Sequence, residues 1–328
     1  MNLSQAKKGL QKNGYLNINT NEIDYVSEIN RLKKEKNAIV LAHYYQRSEI
    51  QDIADFVGDS LALAQVAAKT DADMIVFAGV HFMAETAKII NPSKIVVLPD
   101  LKAGCSLADS APKDEFEAFV KAHPEHTVVS YINTSAEIKA LTDIVCTSSN
   151  AHKIIETIPK DKPIIFAPDR NLGDWLIRKT GRDMLLWDGA CLVHEAFSIE
   201  KILNLYQENP GSEIIAHPES QRHLLKVATY VGSTSGLLKY VKESKAKTFI
   251  VATEAGILHK MQQDAPDKIL IAAPTEDDTC NCSECEFMKM NTMRKLYLCM
   301  EYEQPAIEIE EGLRKKALRS IERMLEIS

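Results

Sequence analysis

Five of the seven cysteines in this sequence sit in segments rich in glycine, serine or acidic residues: Cys105 in KAGCS, Cys191 in DGACL, and Cys280, Cys282 and Cys285 in TCNCSECEFMKMN. Thiolates are soft ligands, so the first question is which metal centre their spacing allows. A structural zinc site takes four ligands, usually as two close pairs, and CNCSEC has no partner pair elsewhere. The ferredoxin run of evenly spaced cysteines is absent as well. One thiolate from each of three separate segments would suit a 4Fe-4S cluster with one iron left without a protein ligand. Such an iron acts as a Lewis acid toward carboxylate and hydroxyl oxygens, as the open position of a catalytic zinc does. Cys146 and Cys299 lie in apolar surroundings and read as small buried hydrophobes.

The polar candidates recur at a fixed period. The segments LAHYY, VSYIN and IAHPE place His43, Tyr131 and His217 at one position and Tyr45, Asn133 and Glu219 at another, 88 and 86 residues apart. Ser60 in GDS, Ser148 in CTSSN and Thr234 in GSTSG keep the same two spacings. Taken singly, each of these hydroxyls reads equally well as a helix N-cap or as a donor to a substrate oxygen. Polar residues in register at strand ends are not a product of generic architecture, because ligands of open α/β sheets bind outside the carboxyl ends of the strands.

The elements that must carry these residues follow from the apolar runs. NAIVLAH, DADMIVFAG, KIVVLPD, HTVVSYIN, KPIIFAPD, SEIIAHPE, KTFIVATE and KILIAAP alternate with amphipathic stretches, which predicts buried parallel strands joined by crossover helices. Length alone suggests about two domains; the repeat predicts three α/β units instead. The expected division is a helical arm over 1–37, α/β domains over 38–122, 123–208 and 209–300, and a helical segment over 301–328. A net charge of -7 and the lack of a long basic run argue against a nucleic-acid partner. No window approaches the ~20 apolar residues of a membrane span, and no secretory signal is visible at the start. The expectation is a cytoplasmic protein, in which metal or redox chemistry outranks disulfides.

Together LAHYYQ, GDSLALA, KAGCSLAD, YINTSAEIKA, TSSNA, PD-x-NLG, WDGACLVHE, GSTSG and the late C-x-x-M-x-MN resemble the quinolinate synthase family over about residues 38–300. The resemblance implies three similar αβα sandwich units with parallel sheets, related by a pseudo-threefold axis around a central active site. It implies condensation of iminoaspartate with dihydroxyacetone phosphate to quinolinate, with loss of phosphate and two waters, in de novo NAD biosynthesis. An L-aspartate oxidase would supply the iminoaspartate. The implied cluster ligands are Cys105, Cys191 and Cys285, the last by matching CEFMKMN to the family's cysteine before Met-x-Met-Asn. This sequence has C-x-C where relatives often show C-x-x-C, and Glu286 where many have proline. Cys280 and Cys282 remain as spare ligands, a redox pair or bystanders.

The resemblance also assigns substrate contact to His43, Ser60, Tyr131, Ile132, Asn133, Ser148, His217, Pro218, Glu219 and Thr234, with Ile132 and Pro218 contributing backbone or shape. Glu219 is the expected general base, its pKa raised by nearby negative charge, and Tyr45 and Tyr131 are expected to relay protons. Arg222 is a further candidate partner for phosphate or carboxylate. Two other readings of the same residues are an iron-sulfur dehydratase or lyase acting on one small hydroxy acid, and a non-enzymatic iron-sulfur redox sensor.

Overall fold

A computed structural model describes residues 3–277 and 283–328. The chain forms two compact units, one comprising 1–105 with 286–315 and the other 106–285 with 316–328.

In the first unit the strands β1 (Ala38–His43), β2 (Phe56–Gly58), β3 (Met74–Ala78) and β4 (Ile95–Val97) form a four-stranded sheet in the order β2-β1-β3-β4. All its pairings are parallel. Val, Ile and Phe fill β3, which is buried at every position, as expected of a strand covered on both faces. Helix Tyr25–Glu35 turns Ile29 and Leu32 onto Val40, Met74, Val76 and Val97, and helix Met293–Tyr302 adds Leu296, Cys299 and Met300 to the same core. Each fully buried aliphatic side chain contributes roughly 1.5–3 kcal/mol relative to exposure.

The second unit holds two more sheets of the same design. One contains β5 (Thr127–Tyr131), β6 (Ile144–Cys146), β7 (Ile164–Ala167) and β8 (Leu185–Leu186), in the order β6-β5-β7-β8. The other contains β9 (Glu213–Ala216), β10 (Tyr230–Val231), β11 (Thr248–Ala252) and β12 (Ile269–Ala272), in the order β10-β9-β11-β12. Their pairings are parallel throughout. Three parallel sheets flanked by helices agree with the expected α/β class and its αβα sandwiches.

The repeat extends to individual hydrogen bonds. Asp55 N–H donates to Val40 O at 2.9 Å, Asp143 N–H to Val128 O at 3.0 Å, and Thr229 N–H to Ile214 O at 2.7 Å. In two copies the aspartate carboxylate returns a bond, Asp55 Oδ2 accepting from Val40 N–H and Asp143 Oδ2 from Val128 N–H. At the amino end of the fourth strand of each sheet stands a cation. Lys94 binds Thr70 O and, at 2.7 Å, Ala72 O; Arg182 binds Ile158, Pro159 and Lys162 carbonyls; Lys268 binds Ser244 and Ala246 carbonyls, both at 2.8 Å. These cations close the turn that leads into β3, β7 and β11.

Candidate active site

His43 and Tyr131 end β1 and β5, and His217 follows β9 directly. The turn after each strand folds alike. His43 Nδ1 accepts from Tyr45 N–H at 3.2 Å, and His217 Nδ1 accepts from Glu219 N–H at 3.4 Å, so each imidazole fixes the backbone of the residue two positions on. Gln51 donates to the Tyr44 and Gln46 carbonyls, both at 2.9 Å, and Lys139, 88 residues later, donates to the Ile132 and Thr134 carbonyls. Lys139 is 0% exposed, and its carbonyl partners compensate a charge that would otherwise be costly to bury. In the third copy Leu225 takes that place, and Asn171 Nδ2 holds the Glu219 carbonyl instead, at 3.0 Å.

The hydroxyl candidates are not the helix caps. Asp59 Oδ1 accepts from Ala62 N–H, Thr147 Oγ1 from Ser149 N–H and Ser233 Oγ from Gly236 N–H. The capping role thus falls to the residue before Ser60 and Thr234, whereas in the second copy the helix begins only at Ala151 and the Thr147 bond closes the turn ahead of it. Ser60 and Thr234 are the first residues of helices Ser60–Lys69 and Thr234–Glu243.

Within the second unit, side chains from two sheets meet in one network. Tyr131 Oη donates to Glu219 Oε1 at 2.6 Å. His217 Nδ1 lies 3.5 Å from the same oxygen, and its Nε2 lies 3.1 Å from Ser148 Oγ. His194 Nδ1 lies 3.2 Å from Glu219 Oε2, and His194 Nε2 is 3.1 Å from Thr253 Oγ1. Glu219 is 3% exposed. Burial alone would raise its pKa, but the charges of His194 and His217 and the hydrogen bonds of His194 and Tyr131 outweigh that and hold it at about 2. The expectation of a raised value is therefore corrected: the sign is set by two imidazoles, one of which, His194, was not among the sequence candidates. Asp169 lies in the same surroundings at 0% exposure. One carboxyl oxygen caps helix Arg170–Thr180 at Leu172 N–H, and the other is buried without a hydrogen-bond partner among the described residues. Burial, together with the charge of Glu219, pushes its pKa well above the usual carboxylate range.

Ile132 and Pro218 are buried beside these residues in the chain, and Asn133 Oδ1 is buried without a partner among the described residues. Arg222 is exposed and approaches Asp174 at 3.8 Å. In the first unit Tyr45 packs edge-on against His43, ring centroids 4.4 Å apart, and its carbonyl accepts from Lys289 Nζ at 2.8 Å.

The cysteines follow the repeat through their backbone. His81 N–H donates to Ala103 O at 2.7 Å, Arg170 N–H to Gly189 O at 2.8 Å, and Ala255 N–H to Ser283 O at 2.8 Å. In each copy the residue three past the alanine that ends the third strand, Ala78, Ala167 or Ala252, binds the carbonyl two residues before a cysteine. Those cysteines are Cys105, Cys191 and Cys285, all half-buried. At Gly189 the approach leaves no room for a side chain: a Cβ would meet Ser110 Oγ at 2.2 Å and Pro168 O at 2.5 Å. Glu254 adds a second clamp in the third copy, its Oε1 accepting from Cys285 N–H at 3.1 Å and its Oε2 from Gly256 N–H at 2.7 Å. Cys280 and Cys282 lie outside the described residues. Cys146 and Cys299 are fully buried, and burial pushes both thiols up.

His194, Thr253, Asn171, Lys139 and Glu254 are the residues the sequence reading did not assign. The motifs WDGACLVHE and PD-x-NLG contain two of them, and the C-x-x-H spacing of Cys191 and His194 was the one local signal for the first. No helix among the described residues is long and apolar enough to cross a membrane.

A family model described as quinolinate synthetase A protein matches residues 27–326. The quinolinate synthase of Thermosynechococcus vestitus is 58% identical over 306 residues, covering 93% of this chain and 96% of the relative. That of Chloroherpeton thalassium is 56% identical over 311 residues, covering 95% and 97%, and that of Synechococcus sp. is 59% identical over 305 residues, covering 93% and 95%. On a match that spans nearly the whole chain, at this identity, the chain belongs to the quinolinate synthetase A family of enzymes.

Proposed function

We propose that this enzyme condenses iminoaspartate with dihydroxyacetone phosphate to quinolinate, releasing phosphate and two waters, as a step of NAD biosynthesis in the cytoplasm. An oxidase acting on L-aspartate would supply the first substrate. Beyond family membership, the observation that carries the reading is the equivalence of Cys105, Cys191 and Cys285. Each follows by two residues the carbonyl that binds the turn after a third strand, so a similar backbone bridge presents one thiol per copy. One half-buried thiol from each copy is the soft donor type that a 4Fe-4S cluster with three cysteine ligands would take. When bound, a cluster with three cysteine ligands supplies a Lewis-acidic iron open to substrate oxygens.

The chain's own residues would do the rest. His43, Ser60, Asn133, Ser148 and Thr234 would orient the carboxylates and the phosphate by hydrogen bonding. Glu219, between two imidazoles, would take up a proton at Oε1 or Oε2 as the general base. Tyr131, already donating to Oε1 at 2.6 Å, passes its proton to that carboxylate and takes one from substrate. Tyr45 would serve in the same way from the first unit. Ile132 and Pro218 shape the walls. A buried base of this kind typically contributes 10²–10⁴-fold in rate.

The test is anaerobic purification, iron and sulfide analysis, and an assay for quinolinate from the two substrates. The expected result is one 4Fe-4S cluster per chain and quinolinate formation. Protein that assembles no cluster on anaerobic reconstitution with iron and sulfide, or no quinolinate from cluster-loaded protein, rejects the reading.

A further inference from the structure

We propose that, in the cluster-free protein, Cys191, His194 and Glu219 bind one Zn2+ ion. One donor atom from each of the three lies within 4.8 Å of the others. Cys191 is the extended residue that enters the single turn Leu192–Glu195, which carries His194. Glu219 arrives from the turn after β9.

The His194 Nδ1 to Glu219 Oε2 distance of 3.2 Å is close to the ligand–ligand edge of about 3.3 Å that a tetrahedral zinc with bonds near 2 Å requires. The sulfur, within 4.8 Å of both other donors, would move inward to reach its own bond length. Cys191 is half-buried, and the turn that follows it is only four residues long. The far ends of both buried groups are already held: His194 Nε2 by Thr253 Oγ1 at 3.1 Å, and Glu219 Oε1 by Tyr131 Oη at 2.6 Å. Outer partners of this kind fix the tautomer and orientation of metal ligands.

The donor set selects the metal. Calcium and magnesium take oxygen ligands, whereas one sulfur, one nitrogen and one carboxylate suit zinc, with a fourth position left for water. Because Cys191 is shared, zinc and the cluster exclude each other; that consequence rests on the reading of Cys191 as a cluster ligand. Free zinc would then hold newly made or oxidatively damaged enzyme in an inactive form until it is displaced.

The experiment titrates chelator-treated full-length protein with Zn2+ by calorimetry and with Co2+ by optical absorption. The expected result is one ion per chain and a Co2+ spectrum with a sulfur charge-transfer band and four-coordinate visible bands. His194→Gln and Glu219→Gln should each weaken binding at least ~10-fold, while His194→Gln still assembles the cluster, which also shows that it folds. Cys191→Ala should lose both ions. Wild-type protein that binds no zinc, or zinc affinity that is unchanged in His194→Gln but falls in Cys105→Ala, overturns the proposal. Protein that binds zinc as described yet never assembles a cluster would instead defeat the functional reading and leave this one standing.

Discussion

The two ends of each sheet repeat by different rules. At the amino ends, Lys94, Arg182 and Lys268 hold one position in the three copies, and each grips the carbonyls of the turn before the third strand. The need is the same in every copy, since a turn must be closed and its carbonyls satisfied, and a long cation serves each time. At the carboxyl ends the equivalent positions diverge: His43, Tyr131 and His217 at one, Tyr45, Asn133 and Glu219 at the next. Asp169 and Glu254 are likewise equivalent, yet one caps a helix and buries its second oxygen without a partner among the described residues, while the other clamps Cys285. The repeated frame thus carries different polar groups in the three copies at these ends. The cysteines stand apart, identical in residue type at the divergent end. Their backbone bridge is made two residues earlier and does not require a thiol, so the bridge alone does not account for the shared residue type.

This contrast predicts variants of very different size. Loss of a thiol at the carboxyl ends should be all-or-none: Cys105→Ala and Cys191→Ala should each hold no 4Fe-4S cluster after anaerobic reconstitution, measured as iron and sulfide per chain. An intact cluster in both would remove the distinction between the two ends.

Next in size is Glu219→Gln, which keeps the shape of the buried group but cannot take up a proton. Turnover should fall at least ~10²-fold with the cluster retained, and turnover near the wild-type level would take Glu219 out of the mechanism. At the amino ends the effect should be on stability alone. Lys268→Met keeps the aliphatic stem and loses two charge-assisted bonds at 2.8 Å, a cost of about 2–3 kcal/mol in denaturant unfolding, with the rate per folded enzyme unchanged. A drop in that rate would mean that the staple also shapes the site.

The smallest effect concerns Asp169, and its sign follows from linkage. Its folded pKa is raised, so below the unfolded value of about 3.9 it costs nothing, and as pH rises above that value the unfolded chain releases a proton that the folded chain retains. Stability is then lost with rising pH by up to ~1.4 kcal/mol per unit until the folded pKa is reached. Asp169→Asn keeps an N-cap acceptor and should flatten this dependence, raising the melting temperature more at pH 8 than at pH 5. Equal shifts at both pH values would contradict a protonated Asp169.

Much of this was legible in sequence because the repeat carries two kinds of signal. Runs such as MIVFA and TFIVA announce buried parallel strands, and eight of the strands fall on runs of this kind. The edge strands β2, β6, β8 and β10 are two or three residues long and lie in no longer apolar run, so nothing in the pattern marks them. Strand-end polar residues could be aligned because their spacing is fixed. Their neighbours could not: Lys139 looks like any solvated helix lysine, and His194 reaches Glu219 from a different segment. That missing neighbour is why the Glu219 pKa was expected to shift the wrong way, since charge partners brought together by folding leave no trace in local spacing.

The central claim is that the three copies present one thiol each at an equivalent position, with Cys285 as the third. Iron and sulfide content, measured side by side for Cys280→Ser, Cys282→Ser and Cys285→Ser after the same anaerobic reconstitution, tests it most directly. The account predicts that only Cys285→Ser loses the cluster, while the other two keep it and make quinolinate under reducing conditions; a cluster retained in Cys285→Ser and lost in Cys282→Ser would contradict it.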